Sequence, residues 1–173
     1  VGKVKELMDI SLNIRTAGLH DLAAITDIYN EPIVTTTASF DIREKTAEEQ
    51  ESWFSTHGSQ YPILVAEQDD TIIGWASMSP WSDRHAYAET AEASLYIKKE
   101  YRGRGVVREL SRAILQAGKQ AGLHTAIARI AEGNDISIDL AESLGFQHIG
   151  VMKEVGKKFG KLLDVYIMQI IFD

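Results

Sequence analysis

The chain has 173 residues, 45% hydrophobic and 25% charged, with a formal net charge of -7. That is the size and mix of one ordinary globular domain, able to bury roughly two-thirds of its unfolded surface, which excludes a disordered chain. With no cysteine, disulfides, thiolate metal sites and a cysteine nucleophile are excluded, and the acidic balance argues against a nucleic-acid partner.

Residues 1–9 lack the apolar core of a signal peptide and are expected to be a leader outside a single domain at 10–173. No apolar run approaches the ~20 residues that span a bilayer, so a cytoplasmic protein with no membrane partner is expected. Residues Ser11 to Arg15 alternate apolar and polar and read as a strand. A helix follows from about His20 to Asn30, with Leu22, Ile25, Ile28 and Tyr29 on its apolar face; Pro32 is expected to stop it. Thr46-Ala47-Glu48-Glu49 is a capping box that opens a second helix to about Thr56. Ile63 to Ala66 and Ile72 to Ala76 are two strands, joined as an antiparallel hairpin by Gln68-Asp69-Asp70.

Glu92 to Ile97 is the next strand, followed at once by the turn Tyr101-Arg102-Gly103-Arg104-Gly105-Val106. A long helix runs from about Gly105 to Ala121, with Val106, Leu110, Ile114 and Ala117 at helical spacing and Gly122 as its cap. Ala126 to Ile130 is a strand, and Asp135 to Leu144 a helix closed by Gly145. Phe146 to Val155 and Leu163 to Phe172 are the last strands, antiparallel around Gly156–Gly160. The class is mixed α/β, with a sheet of six or seven strands and about four helices.

The strand, turn and helix between 92 and 121 carry the most chemical information. A helix N-terminus presents unpaired N–H groups and a partial positive charge, and glycines let the backbone approach an anion closely. Lys98, Lys99, Arg102, Arg104 and Arg108 surround the turn, with Glu100 and Glu109 the acids of that stretch. A compact basic island in an acidic chain suits a polyanionic ligand such as a pyrophosphate. The turn matches neither the Walker pattern nor the three-glycine dinucleotide pattern. The five histidines show no paired metal spacing, so no metal is expected.

Arg102-x-x-Gly105 resembles the acyl-CoA signature of the GNAT N-acetyltransferases, Arg/Gln-x-x-Gly-x-Gly/Ala. Asn134-x-x-Ser137-x-x-Leu140, then Leu144-Gly145-Phe146, is similar to that family's second motif. Further strings resemble the phosphinothricin/methionine sulfoximine subgroup: Ile28-Tyr29-Asn30, Thr36-Thr37-Ala38-Ser39-Phe40, Trp53-Phe54, Arg84-x-Ala86-Tyr87, Thr90-x-Glu92, and Gly156-Lys157-Lys158-Phe159-Gly160 before Asp164-Val165. Two positions depart from the pattern. Val107 stands where the cradle has Gly or Ala, which narrows the approach to the pyrophosphate. Ala141 stands where members often carry Tyr or His, so a side-chain acid for the leaving thiolate is missing.

The resemblance implies a GNAT-like fold with a mostly antiparallel central sheet, acetyl-CoA as cosubstrate, and direct attack of an amine on the thioester. It implies Glu92 as general base, with burial lifting its pKa toward the useful range. It implies a cofactor site from Leu95, Tyr96 and Ile97, from Arg102, Gly103, Arg104, Gly105, Val106 and Val107, and from Asn134 and Ser137. A backbone N–H near Leu95 would serve the oxyanion. Asn134 and Ser137 also suit simple N-capping. Arg84 is the candidate for a substrate carboxylate, with Phe40 and Tyr87 at the acceptor pocket. The expected reaction moves acetyl from acetyl-CoA to the α-amine of a small amino-acid-like acceptor, in a homodimer. The alternatives are another amine (a polyamine, an aminoglycoside, a protein N-terminus), or a CoA-binding module with weak catalysis.

Overall fold

The computed structural model describes residues 12–173; the expected leader at 1–9 and Ser11 lie outside them. In chain order the elements are β1 (Asn13–Thr16), α1 (Leu22–Thr35), α2 (Ala47–Ser55), β2 (Ile63–Gln68), β3 (Thr71–Pro80), β4 (Thr90–Ile97), α3 (Val106–Gln120), β5 (Thr125–Ala131), α4 (Asp135–Ser143), β6 (Gln147–Lys158) and β7 (Lys161–Ile171). The seven strands form one sheet in the order β1-β2-β3-β4-β5-β7-β6. Every neighbouring pair is antiparallel except β4 and β5.

Local chemistry explains several boundaries. The β2–β3 turn has positive φ at both Asp69 and Asp70, the twist-matched conformation of a two-residue hairpin, which Asp tolerates better than most residues. Thr46 accepts from Glu49 N–H, and Glu49 accepts from Thr46 N–H, so the capping box forms as the sequence predicts. The Arg43 guanidinium and the Thr46 N–H together hold the Glu49 carboxyl down at about 2.

Pro32 does not stop α1, contrary to expectation. Its ring is buried, and the helix runs on to Thr35. Pro removes one N–H to the Ile28 carbonyl, but the last carbonyls are well satisfied. The Thr35 hydroxyl donates to Glu31 O, and both the N–H and the hydroxyl of Thr36 donate to Pro32 O. The start also differs: a 3-10 turn at Leu19–Asp21 precedes the helix. At the C-terminus the strands are longer and the turn tighter than expected, narrowing to Phe159-Gly160. Both turn residues have positive φ.

The sheet is covered on both faces. On one, Val106, Leu110 and Ile114 of α3 pack with Met78, Ala91, Ile97, Ala126, Ala141 and Met168. On the other, Ile25 and Ile28 of α1 pack with Ile63, Val65 and Trp75, bordered by Trp53 of α2 and by Tyr96. Successive strand residues point to opposite faces. Ala93, Leu95 and Ile97 therefore join the α3 side, while Tyr96 joins the α1 side.

Candidate active site

The site begins where β4 and β5 part. Their parallel pairing covers only Thr90, Ala91 and Glu92, opposite Thr125, Ala126 and Ile127. Beyond Glu92, β4 stays paired to β3 alone, through Ala93 to Ile97. Thr90 O accepts from Trp81 N–H, and Lys98 N–H donates to Ile73 O, so even-numbered residues of β4 bond toward β3. The N–H and C=O of Ala93, Leu95 and Ile97 then face the split. Ile97 O is taken at 3.3 Å by Arg102 Nε. Ala93 and Leu95 are left with an open backbone edge, which buried polar groups do not keep without a partner. An amide-bearing arm such as pantetheine fits that edge.

The turn lies at the far end of the same edge. Gly103 and Gly105 have φ of 75° and 82°, and Gly105 is the N-cap of α3. A Cβ at either position would meet nothing within 4 Å, so the space over the turn is open to a ligand. Arg104 lies over the Tyr101 ring at 5.4 Å, and Arg102 faces Glu31 of α1 at 3.6 Å. A cavity of about 280 Å³ adjoins the start of α3, lined by Arg104, Gly105, Val106 and Arg108, with Glu109, Leu12 and Gln68 completing its wall. These residues suit a pyrophosphate. Val107 is half-buried and packs against the α3-side core, so part of its bulk is taken up there. Asn134 is the N-cap of α4, but its side chain makes no cap bond; only its carbonyl accepts, from Ser137 and Ile138. The side-chain capping role is thus not realised. Ala141 is buried in the same core beside Phe146, with no acid at that position.

The opposite face of β4 carries Glu92, Ser94 and Tyr96. Ser94 and Tyr96 line a cavity of about 400 Å³, shared with Tyr29, Trp53, Trp75 and Ser79 and with the charged Asp41 and Lys45. That volume lies within the range of small-molecule sites, roughly 300–1,000 Å³. Its walls are aromatic: Tyr29 meets Tyr96 edge-on at 5.0 Å, and Trp75 meets Trp53 at 5.3 Å. Tyr29 donates its hydroxyl to Asp41, which also pairs with Lys45 at 2.9 Å. Burial pushes both tyrosine hydroxyls up, Tyr96 to about 12, so they remain donors at neutral pH. Trp75 Nε1 and Ser77 Oγ, at the cavity's base, are buried without a hydrogen-bond partner.

Glu92 lies beside two residues that line this cavity, opposite Ser79 in register and two positions before Ser94 on the same face of β4. It is not a free carboxylate. Arg129 of β5 clamps it in a bidentate pair, Nε to Oε1 at 2.7 Å and Nη2 to Oε2 at 2.5 Å. The Arg129 guanidinium also lies over the Trp81 ring at 5.7 Å. Nearby, half-buried His57 accepts the Ser79 hydroxyl at Nε2 while Nδ1 donates to Trp53 O; its partial burial lowers its pKa and keeps it neutral.

The structure brings together Glu92, the Leu95 edge and the 102–107 turn, but it disperses the expected acceptor residues. Tyr96 turns its side chain to the acceptor cavity and away from the cofactor side. Phe40 lies against Gly156, where an added Cβ would meet its ring at 2.2 Å. Arg84 and Tyr87 are exposed on the loop before β4, outside the cavity lining. The segment carrying Ser39 and Phe40 is stitched to the last hairpin by buried Lys158, whose Nζ donates to Ser39 O at 2.6 Å. Sequence reasoning missed Arg129, Asp41, Lys45 and Trp75. Arg129 lies 37 residues from Glu92, and no local pattern joins them.

Comparison with known proteins agrees with this geometry. The model of the acetyltransferase (GNAT) domain matches residues 14–167. The L-methionine sulfoximine/L-methionine sulfone acetyltransferase of Pseudomonas aeruginosa is 37% identical over 166 residues, 95% of this chain and 96% of that protein. The phosphinothricin N-acetyltransferase of Streptomyces coelicolor is 33% identical over 158 residues, 89% of this chain and 92% of that protein. A solved GNAT superfamily phosphinothricin acetyltransferase from Sinorhizobium meliloti, in complex with AcCoA, has a TM-score of 0.88 at 32% identity, covering 94% of this chain and 89% of that one. Matched over most of its length by the family model and by relatives above 30% identity, the chain belongs to the GNAT acetyltransferases and is an acetyl-CoA-dependent N-acetyltransferase.

Proposed function

We propose that the protein acetylates the α-amine of a small amino acid of the methionine sulfone, methionine sulfoximine or phosphinothricin type for which its relatives are named. The observation that carries this reading is the position of Glu92, at the parting of β4 and β5, between the open edge of Leu95 and the aromatic cavity. The thioester arm runs along Ala93 to Ile97. The pyrophosphate sits on the N–H groups and arginines of 102–107, and Asn134 and Ser137 flank the arm. The acceptor lies in the cavity with its amine toward Glu92.

An α-amine with a pKa near ~8 arrives mostly as an ammonium. Glu92 takes one proton from it, and the freed lone pair attacks the thioester carbonyl carbon. Charge gathers on the carbonyl oxygen, which accepts a hydrogen bond from Leu95 N–H. The C–S bond then breaks, and the nitrogen's second proton passes through water to the departing thiolate, since Ala141 offers none. Glu92 returns its proton to solvent.

The test is thiol release from acetyl-CoA with a panel of amines. Release is expected with methionine sulfone and phosphinothricin, and little with polyamines. Tight binding of acetyl-CoA with no acceptor-dependent release would favour a binding module, the reading that Ala141 supports. We also assign a homodimer. The edge strand β6 exposes Ile149, Val151, Met152 and Val155, an apolar edge that proteins ordinarily cover. Light scattering giving a monomer mass would overturn that assignment. We place the reaction in the cytoplasm, where acetyl-CoA and free amino acids are both at hand.

A further inference from the structure

A monoamine acceptor needs only Glu92, yet the site presents a matched pair of opposite charges. Glu92 is anionic on β4, and Arg129 is cationic across the split on β5. A guanidinium has five N–H donors in a fixed fork. The clamp on Glu92 uses one on Nε and one on Nη2, leaving three, two of them on Nη1. The Trp81 ring lies against the group without consuming a donor. The Arg129 side chain is 49% exposed, so those donors are within reach of a ligand at the mouth, whereas Glu92 is 22% exposed.

An α-amino acid carries an ammonium and a carboxylate on one carbon. That head group matches a receptor whose anion and cation stand side by side. Its ammonium would meet Glu92 and its carboxylate the free edge of Arg129, adding two ion contacts while the clamp is kept. The side chain would then run from Ser79 and Ser94 into the aromatic cavity toward Lys45. Neither Arg84, the arginine that sequence reasoning singles out, nor Arg129 lines the cavity wall, but Arg129 is the one held on Glu92, while Arg84 is exposed on the loop before β4.

We propose that Arg129 binds the acceptor's carboxylate, so that Glu92 and Arg129 together receive the head group of a zwitterionic α-amino acid. This rests on the acetyl-transfer reading above. It names the substrate class as amino acids with a free carboxylate, and it separates them from amines that lack one. A merely structural stitch across the split predicts something else: its loss would affect charged and uncharged acceptors alike.

The experiment uses the full-length enzyme at saturating acetyl-CoA with methionine sulfone and its carboxamide, which differ only in the carboxylate. The wild-type KM for the amide should exceed that for the acid by about tenfold or more, the loss of a bidentate charged contact. R129Q should raise the KM for the acid and bring the ratio close to one. R84Q should keep the wild-type ratio. A ratio that survives R129Q, or that collapses in R84Q instead, overturns the proposal. Should R129Q fail to fold by circular dichroism, R129K reads the same ratio: its point charge keeps some attraction but no fork, and the ratio should fall about threefold. Equal KM values for acid and amide in the wild type sink this inference alone. A wild type that acetylates neither, while releasing thiol with another amine, sinks the acceptor reading with it.

Discussion

The two faces of β4 are built by different means. The face toward α3 is made of apolar side chains and backbone: Ala91, Ala93, Leu95 and Ile97 pack inward, while open N–H groups and a glycine turn await the ligand. The face toward α1 is made of side chains drawn from distant segments: Tyr29, Asp41, Trp53, Trp75 and Tyr96 converge, and ion pairs hold the edges. Backbone recognition is indifferent to most substitutions, so it suits a cosubstrate common to a family. Side-chain recognition is tuned residue by residue, so it suits the acceptor.

The contrast is tested hardest at the residue that joins the faces. Glu92→Gln keeps the shape and removes the base; turnover should fall about 10²–10⁴-fold. Acetyl-CoA affinity, measured by calorimetry, should hardly move, and an equal loss of both would erase the distinction between the faces.

A second test concerns what fastens the acceptor face. Arg15 of β1 donates from Nη1 and Nη2 to buried Asp21 at 2.7 and 2.9 Å, tying the start of α1 to the sheet. Asp21→Asn should cost about 2 kcal/mol in urea unfolding at pH 7. The Arg15 guanidinium holds the Asp21 carboxyl below its ordinary range. A depressed carboxyl contributes stability that is present above the unfolded value of about 3.9 and lost as pH falls through the folded one. The gap between wild type and variant should therefore narrow as pH falls below about 3.9 and close once Asp21 is protonated in the folded state. A gap that stays constant with pH would deny the ion pair its role.

The smallest effect is expected at the turn. Gly105→Ala places a side chain at φ 82°, at a cost of about 1–2 kcal/mol. There is room for the methyl group in the empty turn, so the loss should appear as lower acetyl-CoA affinity, about tenfold, with the acceptor KM little affected.

Legibility in the sequence followed the same division. The capping box at Thr46, the hairpin turn at Asp69-Asp70 and the Gly122 cap are decided by neighbours within a few residues, and each formed as read. Pro32 misled because a local rule was outweighed by burial of its ring and by the Thr35 and Thr36 hydroxyls. The facing of Tyr96 follows from strand alternation once the register is known, and register is a long-range property. The Glu92–Arg129 clamp and the seat of Phe40 on Gly156 join residues far apart in the chain, where no spacing rule reaches.

Lys158 ties the acceptor face to the far end of the chain. The helix behind the phosphate turn packs on Ala126, Ala141 and Met168, all made after it. The segment that walls the acceptor cavity is held at Ser39 by a lysine 119 residues further on, at the head of the last hairpin. Neither seat is therefore finished until the last hairpin has been made. A chain cut short before residue 158 would lose that fastening together with β7, the strand that lies between β5 and β6, so neither face would be complete.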